Sequence, residues 1–245
     1  MRFLRTPLVK VGYAAIASGA RLPRSKLLAD FDQWSHLVDL LTRLRSNVFL
    51  DVGANRGFFS KHLRASGYRG HLFSFEPISD DFQKIVKLAK GDAMWHAYEY
   101  ALGSTDEMKD FFIRHTAEQT VLSSFLPMKS DDNLKERIAV RLRRLDSVLP
   151  ELLADVPDPR IFLKMDTQGF DLEVFAGVGK YLEKIVGLQS EISVVPLYDH
   201  MPHYTEALAH YEAHGFVLID LFVVNRAADG RISEYDCVMV SPNSL

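Results

Sequence analysis

The sequence predicts an α/β fold of the Rossmann-like kind, with a seven-stranded, mostly parallel sheet and helices on both faces. Short apolar runs alternate with amphipathic segments along most of the chain, which is typical of parallel strands joined by crossover helices. The last two apolar runs are separated by the polar link NRAADGRISE, so they should form an antiparallel hairpin at one edge. At 245 residues, 47% of them hydrophobic, the chain can bury one such core.

Each element is predicted from its period and its flanking turn residues. Apolar residues at helical spacing indicate helices, and short apolar or alternating runs indicate strands. In chain order we expect a helix over 27–45, strand Val48–Val52, a helix over 58–65, strand HLFSFEP, a helix over 79–89, strand WHAYEYAL, two added strands KDFFIRH and RIAVRLRRL, strand RIFLKMD, a helix over 170–184, strand IVGLQSEISVV, helix HYTEALAHYEAHG, and the strands FVLIDLFVV and YDCVMV.

The segment before the first strand is expected to stand apart from the main domain. Residues 1–46 are interpreted as a helical lead-in or cover, and residues 47–245 as the main domain. The basic start followed by a small apolar patch faintly resembles a signal peptide. Because Lys10 interrupts the apolar stretch and Val11 to Ala20 is short, it cannot span a bilayer.

Charge and cysteine content exclude several classes of protein. The net charge is −3, from 29 basic and 32 acidic residues that are interspersed, so neither nucleic-acid binding nor adsorption to anionic lipid is expected. The single cysteine, Cys237, excludes an intramolecular disulfide and a CxxC site. We therefore expect a reducing compartment, the cytoplasm, and a buried, unreactive Cys237.

The stretch FLDVGANRGFFS, residues 49–60, is the expected ligand-binding turn, since ligands of such sheets bind beyond the carboxyl ends of the strands. A dinucleotide site would read GxGxxG, whereas this turn has Asn55 in place of the second glycine and Phe58 in place of the third. Both side chains obstruct a pyrophosphate. A Walker loop is excluded because no Gly-Lys-Ser/Thr follows. The turn therefore suits a nucleoside without a phosphate bridge.

A carboxylate at the end of the second strand points to the cofactor. Glu76, fixed by Pro77, can accept hydrogen bonds from both ribose hydroxyls, although a strand-end acid can also be a simple turn residue. S-adenosylmethionine offers a ribose, an adenine, no phosphate and a cationic sulfonium that tolerates acids such as Asp51. The residues expected to bind it here are Asp51, Gly53, Ala54, Asn55, Gly57, Glu76 and Pro77.

These residues and several later blocks resemble the FkbM-type methyltransferases, which use S-adenosylmethionine. The similar blocks are DVGAN, FSFEP, ALGS, RLRRLDSV, FLKMDTQGFDLEVFAGV, EISVVPLYDHMPHYTEAL and GRISEYDCVMV, which together cover roughly residues 47–240. The resemblance implies a class I methyltransferase fold and methyl transfer, usually to a hydroxyl of a sugar, a glycan or a polyketide-type natural product. The family usually has an acid shortly after the TQG glycine, where this chain has Phe170-Asp171, so Asp171 and Glu173 receive no role.

Several residues could serve the acceptor. Asp166, at the end of the fourth core strand, is the expected general base and also borders the cofactor, with Lys164 on the same strand face. His200 and His203, in the loop after the fifth strand, are alternative bases, although a loop histidine is more often solvated. His115 could also line the pocket, and Ala101 and Leu102 are expected to pack on adenine.

Two alternatives and a possible metal remain open at this point. Asp166 and Glu191 could share a divalent ion, but metal-free base catalysis is favoured because no tight acidic pair follows the strand. The other readings are an NAD-dependent oxidoreductase, which the interrupted glycine pattern disfavours, and a non-catalytic cofactor-fold binding module. The expected partner is a small-molecule or glycan hydroxyl acceptor, with no nucleic acid and no membrane span.

Overall fold

The computed structural model of the chain describes residues 26–114, 120, 122–129 and 134–245. It divides into two units, Met1–Leu37 and Val38–Leu245. Most of the expected lead-in, and His115, lie outside the described residues. The part of the lead-in that is described is helix α1, Lys26–Arg43, which crosses from the first unit into the second. A covering role for residues 1–46 therefore stays a prediction.

Ten strands are described, and seven of them form the main sheet. In chain order they are β1 (Val48–Val52), β2 (His71–Phe75), β3 (Trp95–Tyr98), β4 (Ala101–Leu102), β5 (Glu107–Arg114), β6 (Leu134–Arg143), β7 (Ile161–Met165), β8 (Ile185–Ser193), β9 (Val217–Arg226) and β10 (Ile232–Val240). The main sheet has the order β3-β2-β1-β7-β8-β10-β9. All five residues of β1 and of β7 are buried, as expected of central parallel strands covered on both faces.

The antiparallel edge is confirmed. β10 pairs antiparallel with both β8 and β9, whereas β1, β2, β3, β7 and β8 pair in parallel. Cys237 is fully buried within β10, where it packs as a small apolar side chain.

The expected third strand WHAYEYAL is divided between two sheets. β3 ends at Tyr98, and the following β4 belongs to a second, three-stranded sheet of order β4-β6-β5. The two added strands of the sequence pattern are β5 and β6, which pair antiparallel in that second sheet. A local core of its own, including Phe111, Phe125 and Phe170, holds this sheet together.

The described helices are α1 (Lys26–Arg43), α2 (Phe58–Ala65), α3 (Ser79–Ala89), α4 (Leu145–Leu152), α5 (Asp171–Ala176) and α6 (Tyr204–Ala213), with 3₁₀ turns at Gly179–Lys184 and Pro242–Ser244. The single helix expected over 170–184 is two pieces, because Gly179 has a positive φ of 52° that ends helical geometry. Helix α4 has no counterpart in the sequence prediction; its Pro150 lies inside the helix and argues against a helix from pattern alone.

Candidate active site

A cavity of about 280 Å³ opens beyond the carboxyl ends of β1, β2 and β7. This is the edge at which open α/β sheets bind ligands. Eight of the residues singled out from the sequence line it: Gly53, Asn55, Glu76, Pro77, Ala101, Leu102, Asp166 and Glu191. Residues from five separate blocks of the sequence therefore meet in one place.

The turn after β1 is built around two glycines. Gly53 has a φ of 75°, and a Cβ atom there would lie 2.0 Å from the Asp166 carbonyl oxygen. Gly57 also has a positive φ, 76°, at the start of α2, and a Cβ would meet Ile85 Cγ1 at 3.2 Å. Because no side chain fits at Gly53, the glycine lets the ends of β1 and β7 approach each other. The tight turn therefore permits this close backbone contact.

Asn55 connects the turn to the chain beyond β5. Its backbone is left-handed, with a φ of 48°, which asparagine tolerates better than most residues. Its Nδ2 atom donates to Thr120 Oγ1 at 2.9 Å, and the Thr120 hydroxyl in turn donates to Asp81. Thr120 also lines the cavity. The Asn55 side chain therefore spans one wall of the site where a dinucleotide motif has glycine.

The Glu76 carboxylate is oriented by two backbone N–H groups. Asn55 donates to Oε2 at 2.8 Å and Ile78 donates to Oε1 at 2.9 Å. The residue is only 4% exposed. Burial raises the pKa of Glu76 to about 8, although both backbone hydrogen bonds oppose that shift. Each carboxylate oxygen keeps a lone pair with which to accept a hydrogen bond from a ligand.

A buried ion pair lies behind the opposite wall. Lys164 Nζ is 3.1 Å from Asp51 Oδ1 and 3.5 Å from Asp166 Oδ2. Asp51 is fully buried, and its Oδ2 accepts a hydrogen bond from the Ser60 hydroxyl at 2.5 Å. Burial opposes the charge of Lys164, but the attraction of Asp51 and Asp166 outweighs it and raises the pKa of Lys164. Of these three side chains, only that of Asp166 lines the cavity, with 42% of it exposed.

Further polar residues complete the cavity on the side of β8 and the terminal hairpin. Glu191 lies on β8, and burial together with the charges of Asp166 and Glu234 raises its pKa well above the ordinary value. Asn225 Nδ2 donates to Glu234 Oε2 at 2.7 Å across the β9–β10 pair. Glu191 was singled out from the sequence, whereas six other residues of the lining were missed, namely Gln168, Asn225, Glu234, Thr120, Phe111 and Phe125. Their convergence depends on the pairing of β9 with β10 and on loops, which local sequence patterns do not reveal.

The two histidines lie outside the residues that line the cavity. His200 is exposed, with a φ of 60°. His203 immediately precedes α6, where its N–H donates to Glu206 Oε2 at 2.8 Å and its Nδ1 lies 2.8 Å from Thr205 Oγ1. Asp166 therefore lines the cavity, whereas neither histidine does.

Two further properties concern metals and membranes. Among the described residues, no group of three or more His, Cys, Asp or Glu side chains is arranged to hold a metal ion. Within the same part of the chain, none of the helices combines the length and the apolar character that crossing a bilayer requires.

The sheet order, with one antiparallel strand between β8 and β9, defines the class I methyltransferase fold. The model of the FkbM methyltransferase domain matches residues 51–218, and the chain belongs to this family. A search of curated proteins found no match.

Among solved structures, the chain is similar to the 1,6-didemethyltoxoflavin-N1-methyltransferase of Burkholderia thailandensis, with 12% identity, a TM-score of 0.47 and coverage of 96% of this chain and 87% of that one. It is also similar to the magnesium protoporphyrin IX methyltransferase of Synechocystis PCC 6803, with 9% identity, a TM-score of 0.47 and coverage of 87% and 80%. At such identities the likeness concerns the fold alone.

Proposed function

We propose that this protein is an S-adenosylmethionine-dependent O-methyltransferase that acts on a hydroxyl of a sugar, glycan or natural product. The observation that carries the proposal is one cavity, in a chain of the FkbM methyltransferase family, that joins Glu76 at the end of β2 to Asp166 at the end of β7. The Glu76 carboxylate can accept hydrogen bonds from a ribose, and the Asp166 carboxylate can accept the proton of the hydroxyl that is methylated.

The residues present fit the cofactor on the β2 side of the cavity. Glu76 is held by two N–H groups with a lone pair left on each oxygen, as recognition of two ribose hydroxyls requires. Ala101, Leu102 and Ile78 supply apolar surface for a purine. When bound, S-adenosylmethionine supplies a methyl group already activated by its sulfonium. Gly53 and Asn55 border the same space.

Asp166 is the proposed general base. Its carboxylate lines the cavity and lies 3.5 Å from the Lys164 ammonium group. A hydroxyl becomes acidic as it is methylated, so a carboxylate at hydrogen-bond distance removes its proton. The protein also contributes to catalysis by positioning the acceptor. An acceptor with several polar atoms can form hydrogen bonds with four polar lining residues, Glu191, Glu234, Asn225 and Gln168.

The expected setting follows from the same residues. We propose a small-molecule or glycan acceptor rather than a nucleic acid, in keeping with the net charge of −3. A cytoplasmic location is proposed because the only cysteine of the chain is unpaired and buried. Base catalysis without a metal is preferred, since Gln168 Nε2, a hydrogen-bond donor, lies between the Asp166 and Glu191 carboxyls that would have to share an ion.

The test is transfer of a radiolabelled methyl group from S-adenosylmethionine to panels of sugars, glycosides, polyketide-type alcohols and amines, with and without excess EDTA. We expect label in an ether linkage and equal turnover in both conditions. Label found only on nitrogen would contradict O-methylation, and loss of turnover in EDTA would contradict metal-free catalysis.

A further inference from the structure

Gln168 lies between the two carboxyl groups at the acceptor end of the cavity. Its Nε2 atom is 2.7 Å from Glu191 Oε2 and 3.5 Å from Asp166 Oδ1. Its Oε1 atom lies 3.0 Å from the Tyr198 hydroxyl. An amide has both a donor end and an acceptor end, so it can contact two carboxyls on one side and a hydroxyl on the other. A carboxylate of the same shape has no donor to offer.

The backbone of Gln168 is held in an unusual conformation. Its φ is 54°, in the left-handed region that residues other than glycine, asparagine and aspartate rarely adopt. The Ser124 hydroxyl donates to its carbonyl oxygen at 2.8 Å, which anchors the turn. Conformations of this kind are strained and cluster at functional sites. The turn directs the Gln168 side chain into the cavity.

Tyr198 fixes the far end of the amide. Its ring is fully buried, and its hydroxyl also lies 2.9 Å from the Leu122 carbonyl oxygen. The Arg114 guanidinium is 5.7 Å from the ring centre, within range of a cation–π contact. The buried Tyr198 ring holds its hydroxyl in place. If the Gln168 amide moved away from the two carboxyls, it would lose its contact with that hydroxyl.

We propose that Gln168 is a positioning residue of the methyl-transfer site, whose amide keeps the Asp166 and Glu191 carboxyls apart and leaves Asp166 free to accept the hydroxyl proton. This inference rests on the proposed role of Asp166 as the base. Gln168 separates two acids that would otherwise repel each other, and it stabilises negative charge on either of them by donation.

Several charged groups surround the Asp166 and Glu191 carboxyls and influence their titration. Lys164 and, behind it, Asp51 lie on the Asp166 side. Glu234 and Asp236 on β10 and Asp171 on α5 act on Glu191. All of these groups except Lys164 are acidic, so the neutral amide of Gln168 limits the accumulation of negative charge.

The test follows the two carboxyls themselves by ¹³C NMR titration of the full chain labelled at its Asp and Glu carboxyl carbons. Asp166→Asn and Glu191→Gln assign the two signals. In Gln168→Glu we expect both midpoints to rise, by about one pH unit or more, because a third carboxylate joins the pair. In Gln168→Met we expect a smaller rise in the same direction, since the amide donor to the two carboxyls is lost but no charge is added. The control Gln83→Glu, on the exposed face of α3, should leave both midpoints unchanged.

Unchanged midpoints in both Gln168 variants would overturn the proposal, as would shifts equal to those of Gln83→Glu. Gln168→Met keeps the test decisive if the charged variant does not fold. The NMR readout needs neither cofactor nor acceptor, so its failure differs from a failure of the proposed function, which S-adenosylhomocysteine binding and methyl transfer report separately.

Discussion

The proposed recognition of the cofactor rests on one buried carboxylate, that of Glu76. Burial raises its pKa to about 8 in the free protein, so near neutral pH the group is largely protonated. We expect a ribose hydroxyl to donate more strongly to the ionised form, so binding of the nucleoside should favour that form. Binding should then release a proton, and by linkage affinity should increase as the pH rises towards the free-protein pKa.

We expect the dissociation constant of S-adenosylhomocysteine to fall as the pH rises from about 6 to about 8, with protons released on binding. Calorimetry in buffers of different ionisation enthalpy measures both quantities. Glu76→Gln, which cannot ionise, should bind more weakly and lose the Glu76 part of the pH dependence. The same slope in wild type and variant would show that Glu76 does not titrate with binding.

Asp166 carries the prediction on catalysis. Asp166→Asn keeps the size of the side chain but removes the base, so we expect turnover to fall about 10²- to 10⁴-fold. Affinity for S-adenosylhomocysteine should change little, because Asp166 meets the acceptor end of the cavity. Steady-state kinetics with any acceptor found in the methyl-transfer screen provides the measurement. Turnover equal to that of the wild type would remove Asp166 as the base and return attention to His200 and His203.

At the scale of elements, the site depends on how closely β1 and β7 approach at their carboxyl ends. Gly53→Ala places a methyl group 2.0 Å from the Asp166 carbonyl oxygen, at a φ of 75°. Gly91→Ala is a matched control, with a φ of 89° and no atom within 4 Å of the added Cβ. We expect the control to lose roughly 1 to 2 kcal/mol of unfolding free energy for the left-handed backbone alone.

Gly53→Ala should lose clearly more than the control, because the two strand ends must also separate, and the separation should weaken cofactor binding. Urea denaturation of both variants compares the free energies of unfolding. Equal losses in the two variants would mean that the approach of β1 to β7 contributes nothing to stability.

The elements also show what sequence patterns can and cannot predict. Val48–Val52, His71–Phe75 and the terminal hairpin were predictable because buried parallel strands and a polar link leave strong local signals. Helix α4 was not, because Pro150 contradicts helical propensity and only burial of neighbours such as Leu149 outweighs it. The break at Gly179 and the position of β4 in the second sheet depend on tertiary contacts, which the local periodicity of hydrophobic residues does not reveal.

The same limit applies to the site. Glu76 and Asp166 could be predicted, since each is an acid at the end of an apolar strand and the fold brings those ends together. Glu234, Asn225 and Gln168 could not, because their convergence depends on the pairing of β9 with β10 and on a left-handed turn. Asp51 has the same sequence signal as Glu76, yet the structure turns it inward to Lys164.

At the scale of the whole molecule, one sheet edge brings together the two proposed halves of the site, one for the nucleoside and one for the acceptor, from distant segments. The β1–β2 side contributes Gly53, Asn55 and Glu76, and the β7–β8 side contributes Asp166 and Glu191. A methyltransferase needs both halves in a single cavity, because the acceptor oxygen must be aligned with the methyl group. An NAD-dependent oxidoreductase would need space for a pyrophosphate at the first turn, where Asn55 carries its side chain towards Thr120.

The most direct measurement is calorimetric titration of the full chain with S-adenosylhomocysteine and, separately, with NAD. We predict saturable one-to-one binding of S-adenosylhomocysteine that competes with S-adenosylmethionine, and no binding of NAD under the same conditions. Binding of NAD without binding of S-adenosylhomocysteine would contradict the assignment of the cavity to a methyl donor.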